Sequence, residues 1–445
     1  MSSFYVEGGR QLSGSIVCAG NKNEALPLIA AALLIDKKIR LTNVPDIGDV
    51  RTMLEIAAEL GSEVSPLTDN TVTLYARSID SDILPAERSR QIRASILFAS
   101  TLLNRRGRAV VVQPGGDAIG RRRMDTHFLV FKALGAKLRV EKDDLGNGQH
   151  QTRYILEAPA GGLQGAVIHL DEASVTATEN ALIAAAGARG ETVLVNAAGE
   201  PHVQGLCRFL AAAGVAISGI GSNILTIRGT QHLQSVEHCV GCDYIEAGSF
   251  VAMAAATHSE LTITNVDIAD MRMILYQFDR IGISVHSNGS EHEIVVPGQQ
   301  SYEIQKDLGG AIPKIESAPW PGFPADLTSV ILVAATQSRG TCLIHEKMFE
   351  ARLFFVDKLL NMGAQIVLCD PHRAVVVGPS RLYGSTLSSP DIRAGMALLT
   401  AALSAEGTSL IHNIEQIDRG YQEIEQRLVG IGARIERLHD RRNCT

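Results

Sequence analysis

The sequence predicts a mixed α/β (α+β) fold made of six βαβ-like repeats, three in each of two domains. A pattern of alanine-rich helical stretch, polar turn, β-run and short loop occurs six times along the chain. After each copy a helix ends at a glycine and a short β-like run begins. The composition has 41 glycines and only 4% aromatic residues, which suits closely packed helices and strands with small side chains.

The six β-runs are identified by their alternation of apolar and polar residues and by their β-branched side chains. They are IRLTNV, AVVVQP, TVLVNA, LTITNV, TCLIHE and TSLIHN. The stretch before each run has helical periodicity and good helix-forming residues. Each copy therefore predicts a helix followed by a strand.

Six glycines mark the end of the second helix of each repeat. A helix commonly ends at a residue with a left-handed backbone, which glycine adopts at little cost. Successive positions lie about 70 to 80 residues apart, which sets the length of one repeat. These glycines are Gly61, Gly135, Gly214, Gly282, Gly363 and Gly432.

The repeats are long and show no polar end copies, which argues against an open solenoid and favours two globular domains. The break between the third and fourth repeats falls near residues 238–248. Within the first domain, the polar stretch 141–154 is expected to form an enlarged surface loop.

The overall charge argues against a general nucleic-acid-binding protein, because the formal net charge is −7. The seven cysteines are irregularly spaced, and the single CxxC pair, Cys239 and Cys242, lacks the further ligands of a zinc site. The amino terminus has no apolar signal core, and the longest apolar run is too short to cross a bilayer. We therefore expect a cytoplasmic protein with no membrane or nucleic-acid partner and no metal.

The loop QPGGDAIGRRRMDTH combines a Gly-Gly turn, Asp117 and three consecutive arginines. Glycines let backbone N–H groups converge on an anion, and arginine offers a planar fork to phosphate or carboxylate. A solvated charged turn is the alternative for such a run. In this acidic chain the loop favours a site that holds a small anion and moves a proton near it.

Other candidates lie at helix starts and in loops that follow the β-runs. Lys22 and Asn23 precede an alanine-rich helix, whose N-terminus favours anions. Asp326 follows a proline-rich loop and opens an apolar helix, so it is either an N-cap or a general base.

Arginines in apolar surroundings need partners, and Arg393 lies two residues after Asp391 while Arg419 directly follows Asp418. Structural pairing with Asp391 or Asp418 is therefore the alternative to a role in ligand binding. If the two domains face each other, equivalent loops converge in the cleft between them, where ligands are often bound.

Ten motifs spread over nearly the whole chain together resemble the enolpyruvyl transferases, in particular the branch that acts on UDP-N-acetylglucosamine. They are GNKNEALPL, QIRASI, PGGDAIGRR with MDTH, SVTATEN, NAAGEP, IEAGSF, PGFPADL, FEARL, DIRAG and IDRGY. The resemblance implies the two-domain enolpyruvyl transferase fold, with pseudo-threefold inside-out α/β barrels. It assigns 22–241 to a nucleotide-sugar-binding domain and 1–21 plus 242–445 to a catalytic domain.

The resemblance also implies the reaction. The enolpyruvyl group of phosphoenolpyruvate is transferred to the sugar 3′-hydroxyl by addition and elimination, with release of phosphate, as the first committed step of peptidoglycan synthesis. These two small molecules are the expected partners, and no cofactor is expected. The alternatives are a related transferase with another acceptor, such as shikimate 3-phosphate or a different nucleotide sugar, and a non-catalytic nucleotide-sugar sensor.

Site residues follow from the same resemblance. The catalytic set is Lys22, Asp117, Asp326 and Arg419. The substrate-binding set is Asn23, Arg93, Arg122, Arg123, Met124, Asp125, Thr126, Glu172, Ser174, Val175, Met348, Arg352 and Arg393. The family commonly has a cysteine where this chain has Asp117, and fosfomycin alkylates that thiolate. The sequence therefore predicts that fosfomycin does not inactivate this protein.

Overall fold

The computed structural model describes residues 2–117, 119–120, 122–144, 150–298 and 300–439 of the 445-residue chain. The chain divides into two compact units. Unit 1 comprises Met1–Ala19, Ala118–Arg121 and Cys242–Thr445, and unit 2 comprises Gly20–Asp117 and Arg122–Gly241.

Unit 1 begins with two strands at the amino terminus, β1 (Ser2–Glu7) and β2 (Ser13–Val17). The strands of unit 2 are β3 (Lys38–Thr42), β4 (Glu63–Val64), β5 (Val72–Tyr75), β6 (Arg108–Val112), β7 (Lys137–Asp144), β8 (His150–Glu157), β9 (Val167–His169), β10 (Glu191–Val195), β11 (Ala216–Ser218), β12 (Ile224–Arg228) and β13 (Glu237–Cys239). Its helices are α1 (Lys22–Ala32), α2 (Gly48–Glu59), α3 (Ala86–Ser89), α4 (Phe98–Arg106), α5 (Asp125–Ala133), α6 (Val175–Gly187) and α7 (Pro201–Ala212), and a 3-10 turn covers Arg93–Leu97.

The rest of unit 1 repeats this plan. Its strands are β14 (Glu260–Thr264), β15 (Glu293–Val296), β16 (Lys314–Glu316), β17 (Gly340–His345), β18 (Gln365–Asp370), β19 (Arg373–Gly378), β20 (Thr386–Ser388), β21 (Thr408–His412) and β22 (Arg434–His439). Its helices are α8 (Tyr244–Ala256), α9 (Ile268–Arg280), α10 (Thr328–Ala335), α11 (Val356–Asn361), α12 (Ile392–Ser404), α13 (Glu415–Asp418) and α14 (Ile424–Gly430), with 3-10 turns at Leu308–Gly310 and Ala325–Leu327.

In the described part of the chain each unit contains three sheets, and strands from distant segments pair within them. Within the repeats, β9 pairs in parallel with β10, β16 with β17, and β20 with β21. Two repeats take their parallel strand from far along the chain, because β2 pairs with β14 and β13 pairs with β3. The amino-terminal strands therefore belong to the sheets of the carboxy-terminal half.

Each unit has its own hydrophobic core around central helices. All 13 residues of α8 are buried, as are all residues of α10. In unit 2, every residue of α1 except Asn23 is buried. Alanine supplies many of these positions, so the backbones of neighbouring helices and strands can approach closely. The structure therefore confirms the predicted α/β repeat architecture with small-residue cores.

The predicted repeat elements are confirmed in detail. Each of the six β-runs forms a strand, namely β3, β6, β10, β14, β17 and β21. All six marker glycines have positive φ, from 82° at Gly282 to 107° at Gly61. They therefore adopt the left-handed backbone expected at a helix end.

Two expectations are wrong. Within the stretch 141–154, residues 141–144 and 150–154 form strands and not a loop, because Glu141 and Lys142 of β7 pair with Arg153 and Thr152 of β8. Residues 145–149 of the predicted loop lie outside the described residues. The polar residues of this stretch misled the prediction, since both strands of a solvent-facing hairpin can carry polar side chains. After Gly282, only a single bridge between His286 and Val295 forms in place of a strand.

None of the helices in the described part of the chain is long and apolar enough to cross a membrane.

Candidate active site

The candidate residues lie at one end of the repeats in each unit, for a geometric reason. In a helix–turn–strand repeat the strand runs back along the helix, so the loop after the strand returns to the helix start. In unit 2, Lys22 opens α1, Arg93 opens the 3-10 turn before α4, and Val175 opens α6. In unit 1, Asp326 lies just before α10 and Arg393 is the second residue of α12.

In unit 1 the Asp326 carboxylate is held between two arginines. Oδ1 accepts a hydrogen bond from Arg352 Nη2 at 2.9 Å, and Oδ2 accepts one from Arg393 Nε at 3.0 Å. Both guanidinium groups are buried, whereas the Asp326 side chain is 28% exposed. The carboxylate is thus fixed in orientation while one side remains accessible.

Asp326 is not the N-cap of the following helix, which was the structural alternative for this residue. It lies inside the 3-10 turn Ala325–Leu327, and α10 begins after Leu327 without a side-chain cap. The turn directs the carboxylate toward Arg352 and Arg393 instead of toward the backbone N–H groups of the helix.

Arg352 has unused hydrogen-bonding capacity at this cluster. Its Nε and Nη1 atoms are buried and have no hydrogen-bond partner among the residues that the structure describes. The guanidinium group also lies over the Phe349 ring, 5.2 Å from the centroid. A buried cation with unsatisfied N–H groups is unfavourable by itself and favours an anion at this position.

Arg393 is tied to the cluster from a second direction. Its Nη1 donates to the Tyr421 hydroxyl at 3.2 Å. Burial works to lower the pKa of Arg393, but the charges of Asp326 and then Tyr421 outweigh it and raise that pKa above its usual value. Asp391 instead caps α12 by accepting from the backbone N–H groups of Arg393 and Ala394. The Arg393 side chain therefore pairs with Asp326.

Arg419 follows α13 and lies on the neighbouring loop of unit 1. Its Nη1 donates to Gln416 Oε1 at 2.8 Å, and its side chain is partly exposed. Asp418 accepts two hydrogen bonds from Arg437, at 2.7 and 2.8 Å. The Asp418 carboxylate therefore binds Arg437 of β22.

In unit 2, Lys22 is buried and forms an ion pair with Asp49, at 2.8 Å between Nζ and Oδ2. Asn21 caps α1 by accepting from the backbone N–H groups of Asn23 and Glu24. Lys22 is therefore the first residue of a capped helix, and the first turn of α2 supplies its counter-ion.

The Gly-Gly turn brings two arginines together. An ideal Cβ on Gly116 would lie 3.1 Å from Arg93 Cβ and 3.2 Å from Arg122 Nη1, so both arginines lie against this glycine. An ideal Cβ on Gly115 would lie 1.6 Å from the Arg90 carbonyl oxygen, so only glycine fits there. Burial is the main reason that the pKa of Arg93 falls to about 10, and the like charge of Arg122 lowers it further. Two neighbouring cations, one of them buried, form a local anion-binding surface.

The residues after Arg122 form a second, more exposed group. Arg123 pairs with Asp125 at 3.1 Å and with Asp171 at 3.6 Å. The Thr126 hydroxyl donates to Asp171 at 2.7 Å and to Glu172 at 3.4 Å. Arg123 is therefore already paired with carboxylates.

The remaining predicted residues have mixed exposure. Ser174 caps α6 through its hydroxyl, which accepts from Ala177 N–H. Asp117 and Val175 are partly buried, Met124 is buried and Met348 is exposed.

His127 was not among the residues predicted from the sequence, but it is a buried residue of α5 that links this helix to α6. Its Nδ1 accepts from the Asn180 amide at 2.8 Å, so its Nε2 carries the proton and donates to Thr176 at 3.2 Å. Burial, followed by the charges of Arg93 and Arg122, lowers its pKa to about 3. The only sequence signal was its place in the MDTH motif.

The family model and the named relatives that match this chain are all 1-carboxyvinyltransferases. A family model described as EPSP synthase (3-phosphoshikimate 1-carboxyvinyltransferase) matches residues 6–428. A Treponema denticola protein named UDP-N-acetylglucosamine 1-carboxyvinyltransferase is 51% identical over 98% of this chain and 99% of its own. A protein of the same name from Bacteroides thetaiotaomicron is 49% identical over 98% of this chain and 100% of its own.

Solved structures share the fold. The enolpyruvyl transferase NikO from Streptomyces tendae has a TM-score of 0.82 at 24% identity, covering 98% of each chain. EPSP synthase from Acinetobacter baumannii has a TM-score of 0.72 at 16% identity, covering 99% of this chain and 100% of its own. With a family model that spans nearly the whole chain and relatives at about half identity, this chain belongs to the EPSP synthase family of enolpyruvyl transferases.

Proposed function

We propose that this protein transfers the enolpyruvyl group of phosphoenolpyruvate to the 3′-hydroxyl of UDP-N-acetylglucosamine and releases phosphate. The observation that carries this proposal is the cluster in which Asp326 lies between buried Arg352 and Arg393. A fixed carboxylate suits removal of a proton from a hydroxyl group. The unsatisfied N–H groups of Arg352 suit an anionic co-substrate.

The acceptor is inferred from the relatives. Proteins at 51% and 49% identity over 98% of this chain carry the name UDP-N-acetylglucosamine 1-carboxyvinyltransferase. This supports the nucleotide sugar over shikimate 3-phosphate. The presence of Lys22, Asp117, Asp326 and Arg419 together supports an enzyme over a non-catalytic sensor.

The first chemical step is addition across the double bond of phosphoenolpyruvate. Asp326 accepts the proton of the sugar 3′-hydroxyl, and the oxygen forms a bond to C2 of phosphoenolpyruvate. A proton is added to C3, which becomes a methyl group. Asp117 either donates this proton or assists the later release of product, the two roles that the family's cysteine suggests.

The second step is elimination from the tetrahedral adduct. C3 loses a proton to the group that donated one in the first step, and the double bond re-forms in the product. The bond between C2 and the phosphate oxygen breaks with its electron pair going to phosphate, and the proton held by Asp326 leaves with that phosphate. Arg122, Arg352, Arg393, Arg419 and Lys22 bind the carboxylate and phosphate and stabilise the negative charge on the leaving group. Every proton and electron pair is accounted for without a metal or an organic cofactor.

The nucleotide sugar is bound mainly by the loop after β6 and the start of α6. Arg93 and the segment that follows Arg122 contact it from one side, and Ser174 and Val175 contact it from the start of α6. The full proposed set is Asn23, Arg93, Arg122, Arg123, Met124, Asp125, Thr126, Glu172, Ser174, Val175, Asp326 and Met348.

The proposed product is a UDP-sugar enolpyruvyl ether, the first committed intermediate of peptidoglycan. We propose that the reaction takes place in the cytoplasm. In support, all six cysteines that the structure describes are free thiols, as is usual in a reducing compartment.

The test is phosphate release by purified protein with both substrates present, with the product mass measured in parallel. Phosphate and the enolpyruvyl ether should form together, and neither should form when one substrate is omitted. In an Asp326→Asn variant, kcat should fall at least about 100-fold, because the amide cannot accept the proton. Phosphate release that does not depend on the UDP-sugar would contradict the proposal.

A further inference from the structure

The Glu346 carboxylate is completely buried in unit 1, close to the Asp326 cluster but not part of it. Its Oε1 accepts from the Ser317 hydroxyl at 2.9 Å and from the backbone N–H groups of Met348 at 2.8 Å and Phe349 at 3.3 Å. Its Oε2 accepts from the Thr328 hydroxyl at 2.9 Å. One carboxylate thus joins three separate segments of the chain.

Two of these segments hold the proposed catalytic cluster. Thr328 is the first residue of α10 and directly follows the 3-10 turn that contains Asp326. Met348 and Phe349 open the loop that ends in Arg352, whose guanidinium group lies over the Phe349 ring. The two oxygens of Glu346 therefore set the distance between the turn that carries Asp326 and the loop that carries Arg352.

Glu346 is itself anchored on both sides of its backbone. Its N–H donates to the His372 carbonyl oxygen at 2.8 Å, and its carbonyl accepts from His372 Nδ1 at 2.7 Å. The Ser317 hydroxyl that donates to Glu346 also accepts from Lys347 N–H at 2.9 Å. A carboxylate held this way is a rigid reference point, because a shift would break several hydrogen bonds at once.

We propose that Glu346 is a positioning residue for the transfer reaction, which fixes the turn bearing Asp326 against the loop of Met348 to Arg352 through its hydrogen bond with Thr328. This inference rests on the proposed function. According to this inference, the Asp326 carboxylate is correctly placed to accept the hydroxyl proton only while Oε2 of Glu346 holds Thr328. Small displacements of a catalytic group are enough to slow a reaction severely.

The variant that isolates this contact is Thr328→Val, which has nearly the same shape and removes only the hydroxyl. Thr328→Ser keeps the hydroxyl and is the conservative rescue. Thr400→Val is the matched control, because Thr400 is also buried in a central helix of unit 1 and its hydroxyl donates to the Met396 carbonyl of its own helix.

The measurement is steady-state kinetics of phosphate release per folded enzyme, with thermal unfolding recorded for each variant. Thr328→Val should lower kcat by about 10-fold or more and raise KM for the UDP-sugar. Its KM for phosphoenolpyruvate should stay within about twofold of wild type, because Oε1 of Glu346 still holds the loop that carries Arg352 through the N–H groups of Met348 and Phe349. Thr328→Ser and Thr400→Val should keep kcat close to that of wild type.

Two outcomes are clearly separated. If wild-type protein releases phosphate but Thr328→Val matches Thr400→Val in kcat and in both KM values, Glu346 has no positioning role and the inference is wrong. If wild-type protein releases no phosphate with these substrates, the proposed function fails instead.

Discussion

At the scale of single residues, buried cations are paired with carboxylates that lie far from them in the sequence. Lys22 pairs with Asp49, and Arg393 pairs with Asp326, whereas Asp391, two residues before Arg393, caps α12. Neighbours in sequence therefore gave poor guidance to ion pairs. The actual partners come from the first turn of α2, for Asp49, and from the 3-10 turn before α10, for Asp326.

Asp117 gives the first prediction. A carboxylate is not alkylated as a thiolate is, so the wild-type protein should keep its activity after incubation with fosfomycin. Asp117→Cys should introduce time-dependent inactivation if this loop position corresponds to the family's cysteine. Mass spectrometry of the intact protein should then show one covalent adduct.

The control for that experiment is Cys369→Ser in the Asp117→Cys background, because Cys369 is an exposed thiol already present. Inactivation should persist in the double variant. Rapid inactivation of wild type, or an adduct on Cys369 alone, would show that the loop position has been assigned wrongly.

His127 gives a prediction about pH. Its pKa is lowered to about 3 in the folded protein from the ordinary value of 6.5, so below pH 6.5 the unfolded chain binds a proton that the folded protein excludes. Its contribution to stability is therefore lost as pH falls from 6.5 toward 3, by about 1.4 kcal/mol per pH unit for one proton.

The matching measurement is urea unfolding at pH 7.5, 6.5 and 5.5 for wild type and His127→Gln. The variant should be less stable at pH 7.5 because it disturbs the contacts with Asn180 and Thr176, but its stability should fall less steeply below pH 6.5. Equal slopes for the two proteins would contradict the assignment of a neutral, buried imidazole.

At the scale of elements, the turn at Gly115 determines where the arginine loop lies. Gly115→Ala should raise KM for the UDP-sugar by about 10-fold, because a Cβ 1.6 Å from the Arg90 carbonyl oxygen would displace the loop that carries Arg122. Calorimetric titration of the UDP-sugar measures the same effect on binding.

Gly430→Ala is the control, since a Cβ there meets nothing within 4 Å at the end of α14. It should leave binding unchanged and stabilise the fold slightly, by about 0.4–1 kcal/mol. If Gly115→Ala binds the UDP-sugar as tightly as wild type does, the Gly-Gly turn does not position the loop.

Most elements could be predicted from the sequence because the repeats carry local signals. The β-runs and the marker glycines depend on side-chain alternation and backbone conformation, which are readable within a few residues. The pairing of β2 with β14 and the ion pair of Lys22 with Asp49 depend on contacts across the fold. No local pattern encodes such contacts.

The same distinction between local signals and contacts across the fold applies to the candidate site. Motifs identified Asp326, Arg352 and Arg393, yet the 3-10 turn that removes Asp326 from the N-cap position was not visible in the sequence. Glu346 was missed because its importance arises from four hydrogen bonds that its carboxylate accepts in the folded protein. Tyr421 was missed because its importance arises from the hydrogen bond that its hydroxyl accepts from Arg393.

At the scale of the whole molecule, the two units have separate hydrophobic cores, so damage to one core should remain largely local. Phe209 belongs to the core of unit 2 and Phe278 to that of unit 1, and both are fully buried. Replacing either with alanine should cost about 3–5 kcal/mol in its own unit.

Hydrogen–deuterium exchange read by mass spectrometry distinguishes the two variants. Phe209→Ala should weaken protection mainly in α6 and α7, and Phe278→Ala mainly in α8 and α9, each serving as the control for the other. Uniform loss of protection over both units in either variant would mean that the chain unfolds as one cooperative body.

The most direct test of the central claim is the reaction in deuterium oxide, with the UDP-sugar product analysed by mass spectrometry. Addition followed by elimination passes through a methyl group at C3, so the account predicts phosphate release together with an enolpyruvyl ether that carries solvent deuterium at its methylene carbon. An ether without deuterium would contradict the methyl-bearing adduct, and phosphate release without any ether would contradict transfer to the sugar.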